Sequence, residues 1–206
     1  MKITIKLLAV LALMLATFSQ HTTASAGDHF KFSGRNAGAF FQASDGGCLE
    51  MFAGAFANDG KVQSPPGPGS TSSFADVFVE IFDVCNSVSI YSASGFSDLD
   101  DRAFQINRTL TSASLNATIP GGDSFGNPVD ISVDLVWIGT GDLSRGTFHS
   151  HSKSPGCVIN SRFHGTFRPA QASGTVSVGD TNFTPNPTDN AGLGSAKSGD
   201  LFIGCN

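Results

Sequence analysis

The chain reads as all-β: an antiparallel β-sandwich of jelly-roll-like or Greek-key type, with a closed β-barrel as the alternative. Three observations predict this. Short runs of β-branched and aromatic residues recur between clusters of Gly, Pro, Ser and Asp; helical periodicity is almost absent after residue 26; and two stretches carry different kinds of two-residue alternation. One stretch is apolar on both faces and the other on one face only. Two such sheets packed face to face make a sandwich.

Residues 1–26 read as a cleaved secretory signal peptide. Lys2 and Lys6 give a positive start, residues 7–18 an apolar run, and Ala24-Ser25-Ala26 a small-residue cleavage site before Gly27. The apolar run is shorter than the roughly 20 residues a membrane helix needs, and no later stretch approaches that length. The first cysteine, Cys48, lies far from the cut, which disfavours a lipid-modified amino terminus. The expected product is a secreted or extracytoplasmic protein, 27–206, forming a single disulfide-stabilised β domain. The signal holds two of the twelve Lys and Arg and none of the seventeen Asp and Glu, so the mature chain carries ten against seventeen, a net of −7. That balance argues against nucleic acid and anionic membranes as partners, because both are bound by clustered cations.

The expected strands follow in order: 29–33, 37–43, 48–57, 74–85, 87–93, 103–107, 110–119, 129–138, 146–151, 158–167, 173–178 and 201–204. The third and fourth flank Pro65-Pro66-Gly67-Pro68-Gly69, and Cys48 and Cys85 stand symmetrically about the Pro66–Gly67 junction. Directly opposed residues of an antiparallel pair lie within the Cα separation a cystine needs, so the symmetry predicts a Cys48–Cys85 disulfide. Four cysteines then leave Cys157–Cys205, and no C-x-x-C knuckle supports a metal instead. The same register sets Phe52 against Ile81 and Phe56 against Val77 on one face, and Met51 against Phe82 on the other. It also sets Glu50 against Asp83, a like-charge pair that a bulge or a wet sheet end would relieve. A shared proton or a cation at that pair is the sharper alternative.

A second meander alternates cleanly. Ala113, Leu115, Ala117 and Ile119, then Val129, Ile131, Val133, Leu135 and Trp137, form an apolar face. Ser112, Ser114, Asn116 and Thr118 against Asp130, Ser132 and Asp134 form a solvated one. Residues 184–199, with two prolines, three glycines and few apolar side chains, read as a long loop before Leu201-Phe202-Ile203 returns to the core. A Cys157–Cys205 bridge would pin that end.

The best candidate for chemistry is His149-Ser150-His151 with His164. Residues two apart share a face of a strand, and a hairpin turning at Pro155-Gly156 brings His164 beside them, giving three imidazoles suited to zinc with an open fourth position. The acidic run Asp98, Asp100 and Asp101 lacks the spacing of an EF-hand, so calcium is the weaker reading and a charged turn the simpler one. No G-x-S-x-G elbow occurs, and Ser150-x-x-Lys153 falls in a strand-to-turn segment, so nucleophilic catalysis has little support. The mature chain has seventeen phenylalanines but only Tyr91 and Trp137 as amphipathic aromatics. Phenylalanine belongs in a core and sugar platforms favour Trp and Tyr, so Trp137 reads as packing and carbohydrate binding is not indicated. Sequons at Asn107, Asn116 and Asn182 matter only in a eukaryotic secretory route.

Three functional expectations result. The first is a secreted, non-enzymatic surface, matrix or binding module for an unknown extracellular ligand, with no catalytic residue and no cofactor assigned. The second is a metal-binding protein or metal-dependent enzyme using His149, His151 and His164. The third is a barrel carrying a small apolar ligand among its phenylalanines.

Overall fold

A computed structural model describes residues 28–63, 70–100, 102–154 and 157–205. They form eleven antiparallel strands and no helix: β1 (Asp28–Ser44), β2 (Leu49–Gln63), β3 (Ser70–Asp83), β4 (Val88–Asp98), β5 (Phe104–Ile106), β6 (Ser112–Asp123), β7 (Pro128–Gly139), β8 (Ser144–Ser154), β9 (Cys157–Val178), β10 (Thr181–Asn182) and β11 (Thr188–Cys205). The expected all-β, antiparallel architecture is present. Eight strands close a ring in the order β9–β11–β1–β2–β3–β4–β6–β7 and back to β9, an arrangement that agrees with either a sandwich or a barrel. Closure leaves the ring without the unpaired edges that invite foreign strands. Its shortest join is β4–β6, with three pairs from Ala93↔Asp123 to Gly95↔Gly121. A methyl group on Gly121 would lie 2.2 Å from the Ser94 carbonyl oxygen, so the two chains approach closely only because no side chain intervenes.

The ring is filled. One wall, on β1–β3, presents small residues inward: Ala37, Ala39, Ala53, Ala55, Ala57 and Ala75, with Val77 and Val79. The opposite wall, on β6 and β7, supplies bulk from Leu115, Ile119, Ile131, Val133, Leu135 and Trp137. Trp137 is 0% exposed and its indole Nε1 donates to the Gly38 carbonyl oxygen across the ring at 3.1 Å. Because these side chains keep essentially no accessible surface, no water-sized space adjoins them. The alternation expected for 113–137 is reproduced position for position, with Leu115 opposite Leu135 inside and Asn116 opposite Asp134 outside.

Several expectations need correction. The hairpin register is one residue off the expected one: Leu49 pairs with Asp83, Glu50 with Phe82 and Phe52 with Glu80. The described pairs are therefore symmetric about position 66 in number rather than about the 66–67 junction, and a one-residue slip exchanges the partners on every rung. Glu50 and Asp83 do not face each other. Residues 29–33 and 37–43 belong to one strand, β1, without a break at Gly34, whose absent side chain admits Asp59 and Gly60 of β2. Residues 188–199 are strand rather than loop. Gly192 and Gly194 lie under Phe167 and Asn36, where a methyl group would come within 2.3 Å and 2.5 Å of those side chains, so the glycines mark close packing and not a turn. Residues 158–167 and 173–178 likewise join in β9, with Pro169 in the gap between pairing with β8, which ends at Phe167, and pairing with β7, which starts at Ala170.

Candidate functional site

With the inner wall built largely from alanine and valine, most phenylalanines of the first four strands go elsewhere, while Phe41, opposite Ala53, stays in the core. Neighbours in a ladder share a face and residues two apart repeat it, so the register assigns Phe40, Phe52, Phe56, Phe74, Phe78, Phe82 and Phe96 to the outer face of β1–β4. The expectation that phenylalanine means core holds for Phe41 and fails for the partly exposed rings of this outer face. Phe40 packs against Phe52 at 5.9 Å and Phe78 at 6.1 Å between ring centroids, while Phe74 lies 6.1 Å from Phe56 and 5.3 Å from Phe96. Phe78 covers Gly54, where a methyl group would stand 2.0 Å from its ring; an aromatic laid over a glycine in this way restores packing the glycine lacks. Phe40, Phe52 and Phe78 keep part of their surface in solvent, whereas Phe56 and Phe74 are buried.

Carboxylates are interleaved with these rings. Asp76 sits between Phe56 and Phe96 across the strands and between Phe74 and Phe78 along β3. Burial among them pushes its carboxyl up from 3.8 to about 6, the bond from the Val77 N–H offsetting only part of the effect. Glu80 lies opposite Phe52, Asp98 opposite Phe74, and Glu50 accepts from Gln42 Nε2 at 3.1 Å. No Lys or Arg occupies this face on β1–β4. Composition could not reveal the pattern, because it exists only once the register is known.

The Cys48–Cys85 cystine is formed, with a Cα–Cα distance of 5.3 Å. The corrected register changes its position. Cys48 precedes β2 and its carbonyl accepts from Val84 N at 2.8 Å, so the bridge runs diagonally from the start of β2 to the β3–β4 turn. Asp83 organises that turn: Oδ1 accepts from Cys85 N and Asn86 N, and Oδ2 from Asn86 Nδ2 at 2.8 Å. The Asn86 side chain and backbone hold the Asp83 carboxyl below its usual value. Asp123 does the same between β6 and β7, accepting from Phe125 N, Asn127 N and Asn127 Nδ2, and its carboxyl is lowered chiefly by Asn127. Asp45 caps the β1–β2 turn through Gly47 N and Leu49 N. Sequence alone marks Asp83 only as the expected partner of Glu50, and does not reveal the turn-organising role of any of the three. The usable signal was an aspartate followed within four residues by Gly or Asn between two strands.

Cys48, Asp83 and Cys85 also form a group whose donor atoms lie within 4.8 Å of one another, but both sulfurs are consumed in the cystine and are not thiolate ligands. Cys157 and Cys205 stand directly opposite one another in the β9–β11 ladder, as a second bridge requires; their side chains are outside the described part.

The expected zinc residues are brought to one face. β8 and β9 pair Thr147 with His164, His149 with Arg162 and His151 with Asn160. The three imidazoles do not gather: among the described residues their ring nitrogens are not within 4.8 Å of one another, and Arg162 occupies the place opposite His149. Nδ1 of His164 instead meets Thr147 Oγ1 at 2.7 Å, and Nδ1 of His151 meets Asn160 Oδ1. Of the expected calcium residues, Asp98 closes β4 and the Asp100 carbonyl accepts from Ala103 N in a turn, while Asp101 lies outside the described residues. Comparison with known protein families, curated proteins and solved structures finds no match. No helix among the described residues is long and apolar enough to cross a membrane.

Proposed function

We propose that the mature chain is an exported, non-enzymatic binding module of surface or matrix type, working through the outer aromatic face of β1–β4. A single observation carries this reading: partly exposed phenylalanines share that face with Glu50, Asp76, Glu80 and Asp98 and with no cation. Apolar rings grouped on an outer face and left partly in solvent fit an interaction site, and phenyl rings beside carboxylates favour an apolar partner that carries positive charge. The signal-like residues 1–26 and the cystine fit an oxidising, extracytoplasmic setting.

Retention of two immobilised peptides tests it, one alternating leucine with lysine and one alternating leucine with glutamate. The mature protein is expected to be retained by the first only. Phe40→Ser/Phe52→Ser is expected to lose that retention while keeping the parent's circular dichroism. Equal retention by both peptides, or unchanged retention of the folded double variant, would overturn the assignment.

A further inference from the structure

The two ends of the ring differ in charge and polarity. At the cystine-bearing end lie the connections β1–β2, β3–β4, β6–β7 and β9–β10. That end carries Asp45, Glu50, Asp83, Asp123 and Asp180, while all ten Lys and Arg after residue 26 lie towards the other end, from Lys31 and Arg35 of β1 to Lys197 of β11. Aspartate capping explains part of the acidity. It does not explain the apolar surface among these acids: Phe125 is 70% exposed, Val88 50%, Ile90 46%, Val84 41% and Leu49 37%. Exposed groups of this kind, rimmed by one sign of charge, call for a partner of the opposite sign.

The opposite end supplies one. Residues 144–164 contain Arg145, Lys153, Arg162 and three histidines, with no Asp or Glu. Alternation and register put Arg145, His149, His151, Arg162 and His164 on one face of the β8–β9 ribbon, all exposed. Register also sets Asp200 of β11 opposite Arg162. Among the described residues the ion pair present is Arg35–Asp59, so neither Arg145 nor Arg162 is engaged by a described carboxylate. β8 and the first half of β9 run on past the end of β7 at Gly139, with β11 and β1 continuing beside β9, so β8 is the outer strand of this extension.

We propose that the cystine-bearing end is a docking surface for a second copy of this chain, which meets it head to tail through the basic face of its β8–β9 ribbon. The charge complementarity lies within one sequence and its two surfaces are at opposite ends of the ring. The contact is therefore heterologous and does not close on itself; it propagates into linear assemblies. Attraction between exposed groups makes the association weaker as salt rises.

Sedimentation velocity of the mature chain over rising concentration, at low and high salt, provides the test. The expected result is a sedimentation coefficient that grows with concentration and falls back with salt. Phe125→Ser and, separately, Arg145→Glu/Arg162→Glu are each expected to weaken association by roughly tenfold or more. All three positions are exposed, so thermal midpoints should match the parent's; Val88→Ser replaces Phe125→Ser if that variant fails to fold. An equimolar mixture of the end variant and the ribbon variant retains one intact contact per pair and should stop at dimers. A parent that stays monomeric at every concentration overturns the proposal. So does a ribbon variant that associates like the parent while Phe125→Ser does not, since the end would then be meeting its own like.

Discussion

Asp76→Asn should make the protein more stable at neutral pH and leave it unchanged in acid. The carboxyl lies among Phe56, Phe74, Phe78 and Phe96, and its folded value of about 6 against 3.8 means that the folded state holds the proton more tightly than the unfolded chain does. A group raised in this way contributes its full stability below about 4, loses it progressively as the pH climbs to about 6, and adds nothing further above. The difference between the two values corresponds to about 3 kcal/mol. Asp76 is only partly buried, so screening by solvent reduces the expected effect to about 1.5 kcal/mol. Asparagine keeps an acceptor for the Val77 N–H and carries no charge, so the variant should gain that amount at pH 7.5 and match the parent near pH 4. Urea denaturation of both proteins at a series of pH values measures it, and the difference between them isolates this side chain. Asp83 and Asp123, whose carboxyls are lowered, lose stability as the pH falls in parent and variant alike. A variant less stable at pH 7.5, or a difference that does not vary with pH, would refute the placement of this carboxyl among the rings.

Removing the cystine with Cys48→Ala/Cys85→Ala frees a 37-residue loop and should cost up to about 4 kcal/mol in guanidinium denaturation. Reduction of the intact protein should raise its mass by about 4 Da if Cys157 and Cys205 are joined as well, and by about 2 Da otherwise. Gly121→Ala should cost about 2 kcal/mol, because its methyl group would stand 2.2 Å from Ser94 oxygen. Gly122→Ala next to it, with nothing nearer than 3.8 Å, should cost under about 1 kcal/mol, and similar losses at both sites would contradict the close approach of β4 and β6. Trp137→Phe should cost about 2 kcal/mol by leaving the Gly38 carbonyl without its buried donor and opening a void, read from thermal or denaturant unfolding.

The all-β class and the 113–137 meander were legible because one face of β6 and β7 is wet, and a wet face writes its period into the sequence. The Cys48–Cys85 pairing was legible through symmetry, although a diagonal bridge and a direct one differ by a single rung that symmetry does not resolve. The β2–β3 register was obscured for a physical reason. Both faces of that hairpin carry apolar residues, so neither register pays an obvious hydrophobic penalty, and only the inner wall's preference for Ala53, Ala55 and Ala57 over Phe52 and Phe56 decides between them. The 188–199 stretch misled through Gly192 and Gly194, since composition does not separate glycines under a ring from glycines in a turn. The charge segregation was hidden because it depends on which half of each strand a residue occupies. Lys31, Lys61, Arg145 and Arg162 are far apart in sequence and meet only at one end of the ring.

The uneven supply of bulk between the two walls sets where this protein tolerates change. On β6 and β7 a side chain can shrink and leave a hole, a loss that grows with the volume removed. On β1–β3 the six alanines have almost nothing to lose, yet one added branch would have to enter a core that is already closed. Neutral drift on the alanine wall is thereby confined to residues no larger than those present, while the outer positions of the same strands vary without touching the interior. A binding surface on that outside could change its specificity freely over a backbone whose width is fixed from within.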